Sequence, residues 1–119
     1  MTEHDFDEDL ELVHQTLSAG EHVEARHQLA KFVGRFARRA EREERILQDI
    51  QGLPNELLQK VRREHDRLYG FVGMLARALA CKNDRFGLDT IEMLRSLVVI
   101  HIAKEAALAE LDGHSSWMT

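Results

Sequence analysis

The chain has little of what reverses, cross-links or anchors a polypeptide. One proline and seven glycines among 119 residues leave few places for turns, so the elements should be few and long. A single cysteine, Cys81, excludes an intramolecular disulfide. Aromatics amount to only 6%, and β-branched side chains are sparse beside Ala, Leu, Glu and Arg, which argues against strands. No apolar run approaches the roughly 18 residues of a membrane span, so no membrane partner is expected. The opening stretch is acidic where a secretory signal would be basic and then apolar. A cytoplasmic location follows as the expectation. No phosphate-cradling glycine loop and no nucleophile with a base at readable spacing occur, so no enzyme is inferred.

What the chain does contain suits one globular domain spanning 1–119, with 113–119 as a frayed tail. Apolar residues make up 44% and charged residues 31%, enough of each for a buried core and a wet surface. The formal charge of −5 is unevenly spread. Thr2 to Ala25 holds eight acidic residues and no Lys or Arg, whereas Arg26 to Arg45 holds seven basic ones. Such a basic stripe can attract nucleic acid, but the acidic segment beside it can neutralise it, so no nucleic-acid partner is expected.

Hydrophobic period marks four helices and an antiparallel up-down-up-down bundle. Phe6, Leu10, Val13 and Leu17 define a short first face that ends at Ser18-Ala19-Gly20. The second helix runs from about Glu21 to Ile50, with Leu29, Phe32, Val33, Phe36, Ala40, Glu43, Leu47 and Ile50 on one stripe. The third carries Leu58, Val61, His65, Leu68, Val72, Leu75 and Leu79, after a break at Gly52-Leu53-Pro54 that puts the proline in a first turn. The fourth carries Ile91, Leu94, Leu97, Val98, His101, Glu105 and Leu108. Its start is signed by a capping box, Asp89 with Glu92, and by a Leu88–Met93 staple. Short connections near Gly20, Gly52 and Gly87 make successive helices antiparallel neighbours.

Polar residues interrupt these stripes where the core should be apolar. They are Glu43, His65, His101 and Glu105. A buried carboxylate or imidazole without a partner costs several kcal/mol (about 1–3 for an unsatisfied group, more for a charged one), so these groups need partners. A metal cation suits both kinds at once. His101-Ile-Ala-Lys-Glu105 sets imidazole and carboxylate one turn apart on a single face, where both can reach one ion. Taken singly, His65 reads as an ordinary core histidine, and Glu43, inside Glu41-Arg42-Glu43-Glu44-Arg45, reads as part of a solvated face. Glu11-x-x-His14 and Glu24-x-x-His27 form a separate surface constellation. His22 and His114 read as surface residues.

Together these residues resemble the hemerythrin-like HHE cation-binding family. That family places a His on the first helix, His-x-x-x-Glu on the second, His on the third and His-x-x-x-Glu on the fourth. The second half of the chain carries the closest likeness, Arg-Glu-His65-Asp-Arg-Leu and then His101-Ile-Ala-Lys-Glu105. The first half echoes it, Glu3-His4-Asp5 against Glu64-His65-Asp66, as an internal duplication would. Arg39 departs from the pattern, standing where the second-helix His is expected; a guanidinium does not ligate a metal. It could instead ion-pair with Glu43 in place of a second metal's charge. For the first-helix ligand, height along the bundle favours His4 and facing favours His14.

The resemblance implies non-haem iron, mononuclear or dinuclear, on His4, Glu43, His65, His101 and Glu105, with His14 and Arg39 as the alternative or supporting residues. It implies binding or sensing of dioxygen or another diatomic, or the handling of iron. The alternative is a metal-free helical interaction module in which the same side chains form a buried charge network. Trp117 and Met118 could dock on a second chain to make a homodimer.

Overall fold

A computed structural model describes the backbone of residues 5–112 and the side chains of residues 5–107. It consists of four helices, α1 (Phe6–Ser18), α2 (His22–Asp49), α3 (Asn55–Ala80) and α4 (Asp84–Asp112), packed as an antiparallel bundle. Each helix lies against two neighbours: α1 against α2 and α4, and α3 against α2 and α4. No described helix is long and apolar enough to cross a membrane.

Local chemistry explains the ends. Asp5 caps α1 by accepting from Glu8 N at 3.1 Å, with Asp7, Glu8 and Asp9 in the positive first turn. Gly20 and Gly52 hold positive-φ positions in the first two turns, at 76° and 81°. Pro54 sits one residue ahead of the first turn of α3, as its cap, and not within it.

The start of α4 corrects the sequence expectation. The helix begins at Asp84, five residues before the anticipated Asp89, so Asp89 and Glu92 are exposed interior residues and no capping box. The turn is made at Cys81–Asn83, where Lys82 adopts a φ of 56° and Asn83 Oδ1 accepts from Phe86 N at 3.4 Å. Gly87 is therefore no connection. It is buried within the helix, and a Cβ there would stand 2.9 Å from Leu17 Cδ2. Its missing side chain lets α4 approach α1 closely. His22, read as a surface residue, is half-buried and lies 2.7 Å from Asp84, joining the starts of α2 and α4.

The acidic helix α1 is balanced by its neighbours. Asp9 accepts from Arg35 of α2 at 2.7 Å, while Arg95 of α4 donates to Asp7 at 2.8 and 3.0 Å and to Glu11 at 2.5 Å.

Helix lengths place the site. The 13 residues of α1 extend about 20 Å, half the reach of the other three at 1.5 Å per residue. Phe6, its first residue, packs edge-on against Phe32 and Phe36 at 6.0 and 5.7 Å. The main core runs from this aromatic cluster through Leu10, Val13, Leu17, Leu75, Ile91 and Leu94. A smaller apolar cluster of Leu47, Leu58 and Val61 joins α2 to α3 farther along. Between the two lies a buried layer of charged and polar side chains from α2, α3 and α4.

Candidate metal centre

Two helical turns beyond Phe36, Glu43 projects inward from α2; His65 meets it from α3, and His101 and Glu105 from α4. All four are nearly inaccessible, at 5%, 1%, 4% and 2%. The reason they converge is periodic. Each occupies a position on its own helix's apolar stripe, so the packing that buries the stripe also buries the polar group.

Both imidazoles turn Nε2 toward the middle of the layer. The two Nε2 atoms lie 3.2 Å apart, and Glu43 Oε1 stands 3.4 Å from the one on His65 and 3.5 Å from the one on His101. The point equidistant from these three atoms is about 1.9 Å from each, just inside the roughly 2.0–2.2 Å of a metal bond to imidazole or carboxylate. By these distances a first-row cation fits slightly off the plane of the triangle. Glu43, His65 and His101 form a buried group whose spacing could hold a metal ion.

Unsatisfied atoms point the same way. Both oxygens of Glu43 are buried and lack a hydrogen-bond partner, because the histidines approach without hydrogen-bonding geometry. Two orphaned carboxylate oxygens in a buried layer are unusual in a folded protein.

Glu105 stands at the edge of the triangle. Its Oε1 is 3.0 Å from His101 Nε2, and its Oε2 accepts from Arg39, at 3.1 Å from Nε and more closely from Nη2. Arg39 also lies over the Phe6 ring at 5.8 Å. The anticipated pairing of Arg39 with Glu43 is thus corrected: the guanidinium pairs with Glu105 across the bundle, which leaves Glu43 open.

The electrostatics follow from this crowding. Burial alone would depress the His101 pKa, but the adjacent Glu105 and Glu43 override it and lift the ring to about 9. Burial likewise opposes the charged form of His65, and Glu43 and Glu44 raise its pKa nonetheless. Burial pushes Glu43 upward, yet the two histidines hold it well below the usual carboxylate range. Glu105 is raised, chiefly by burial and partly by Glu43 beside it. The layer thus brings two imidazoles, two carboxylates and a guanidinium into contact.

Two outer carboxylates escaped the sequence reading. His65 Nδ1 lies 2.7 Å from Glu44 Oε2, and Arg62 donates to the other oxygen of Glu44 at 3.1 Å. Glu64 stands 3.9 Å from His101 Nδ1, while Lys104 donates to it at 2.6 Å. In the sequence Glu44 reads as part of a charge run; its position directly after a stripe-interrupting Glu43 is the available signal. Glu64, directly before His65, lies beside the other histidine, which no local pattern reveals.

Neither His14 nor the surface constellation joins the site. His14 faces Glu92 at 3.6 Å on the partly exposed α1–α4 surface. Glu11 accepts from Arg95 and Gln15, and Glu24 from Gln28, so the surface constellation does not close around an ion. Among the described residues no second group with metal-ligand spacing is found. His4, His114, Trp117 and Met118 lie outside the described residues, as does the side chain of Leu108. No family model, no curated protein and no solved structure matches this chain.

Proposed function

We propose that this chain is a hemerythrin-like protein that binds one non-haem metal ion, iron in the first instance, on Glu43, His65 and His101. The observation that carries the proposal is the buried triangle of two imidazole Nε2 atoms and a carboxylate oxygen, with both oxygens of Glu43 unsatisfied. Mixed imidazole and carboxylate ligation suits Fe(II) and Fe(III), and three protein ligands leave coordination positions for dioxygen or another diatomic. Glu105 is held by Arg39, which favours a single ion over a pair. Binding, sensing or iron handling are the roles such a site supports. His4, from the N-terminal segment, is the further ligand that the resemblance suggests.

A second reading is a metal-free helical module. It is favoured by the Arg39–Glu105 ion pair, which gives one buried carboxylate a permanent cation of its own. Metal analysis and an absorption spectrum of protein produced in iron-supplemented medium separate the two. About one iron per chain, lost in His101→Ala, supports the proposal. An oxo-bridged ferric pair would add a near-ultraviolet band and call for two ions. Metal-free protein that takes up neither Fe(II) nor Co(II) under anaerobic titration would leave the charge-network reading.

A further inference from the structure

The two histidines are alike at Nε2 and unlike at Nδ1. His65 Nδ1 meets Glu44 at 2.7 Å, a full hydrogen bond. His101 Nδ1 is buried and has no hydrogen-bond partner. It faces the floor of a cleft of about 170 Å³ between α3 and α4, lined by Glu64, Arg67, Leu68, Leu97, Ile100 and Lys104. Within that cleft Glu64 Oε2 is 3.9 Å from Nδ1, too far to bond, because Lys104 draws the carboxylate outward at 2.6 Å.

A histidine that ligates through Nε2 carries its proton on Nδ1, and that N–H needs an acceptor when it is buried. Around His65 the acceptor is in place. Around His101 the carboxylate that faces the orphaned nitrogen, among the described residues, is Glu64, about 1 Å short of hydrogen-bond distance. Glu64 is only half-buried and Lys104 is exposed, so a rotamer change at the cleft surface closes the gap without disturbing the core.

We propose that Glu64 is the positioning carboxylate of the centre: on cation binding it leaves Lys104, accepts from His101 Nδ1, and locks the ring with Nε2 on the ion. This rests on the metal-binding reading of Glu43, His65 and His101. It adds that Lys104 opposes loading by holding Glu64 away, and that the α3–α4 cleft is where the site yields to a cation.

The test is anaerobic titration of the full-length chain with Co(II), together with proton NMR of the loaded protein in water. Wild type should bind one Co(II) and show two paramagnetically shifted exchangeable resonances, from Nδ1–H of His65 and of His101. Glu64→Ala should weaken Co(II) roughly 10- to 100-fold and lose one resonance to solvent exchange, with unchanged stoichiometry. Glu64→Gln, whose amide oxygen still accepts, should restore the resonance and most of the affinity. Lys104→Met should tighten binding. Circular-dichroism melting of the metal-free variants confirms folding, which an exposed-edge substitution should leave intact. Wild-type affinity and both resonances in Glu64→Ala would overturn the role of Glu64 while leaving the metal site standing. Failure of wild type to bind Co(II) would overturn both.

Discussion

Nε2 of His65 lies 3.2 Å from Nε2 of His101, although 36 positions separate the two residues in the chain. Two lone pairs cannot face each other at that distance. Either a proton lies between them or a cation lies beside them, and the consequences differ for each state.

If a cation is bound, it should stabilise the fold by mass action. At a free metal concentration about 100 times Kd, loading adds roughly 2.7 kcal/mol. The expected observation is a melting temperature that rises with Fe(II) or Co(II) and returns to its starting value with chelator. Glu43→Ala should remove the response, and a response that survives in that variant would place the metal elsewhere.

In the metal-free protein, stability should fall at alkaline pH. The His101 pKa rises from about 6.5 unfolded to about 9 folded, so its protonated form is the one the fold favours. That contribution is fully present below pH 6.5 and is lost as pH climbs through about 9. Denaturant unfolding in chelator across pH 6 to 9.5 should show the decline, and His101→Ala should flatten it.

Arg39 neutralises a carboxylate that cannot reach water. Arg39→Met keeps much of the packing beside Phe6 but leaves Glu105 without its guanidinium, a loss on the order of 3–5 kcal/mol. Combining it with Glu105→Gln should recover a large part of that loss. If the single variant were as stable as wild type by chemical denaturation, the ion pair would not be holding this layer together.

Glycines inside the helices should respond in opposite directions. Gly34→Ala meets nothing within 4 Å and should gain about 1 kcal/mol from helix propensity. Gly87→Ala gains the same propensity but drives a methyl group to 2.9 Å from Leu17, and overpacking of about 1–3 kcal/mol outweighs it. Urea midpoints of the two variants, shifted to opposite sides of wild type, would bear this out.

Much of the site could be read in advance because a helix makes sequence spacing into geometry. Glu43, His65, His101 and Glu105 were legible as polar intrusions into 3.6-residue stripes, and the structure buries all four. The partner of Arg39 was not legible. It sits one turn from Glu43 on α2, so local spacing favoured that pairing, whereas the bundle brings Glu105 from 66 positions away. The outer carboxylates Glu44 and Glu64 were hidden for the same reason, since each lies beside a histidine on the next helix.

Composition and hydrophobic period by themselves determined four helices, their approximate faces and the polar groups within them, because each property depends on residues a few positions apart. Only tertiary packing decided which face-sharing groups touch. It seated α4 against α1 over a bare Gly87, paired Arg39 with Glu105, and left Glu43 facing two imidazoles with both oxygens unsatisfied. Those outcomes depend on the rotation and height of whole helices relative to one another, which short-range periodicity does not encode.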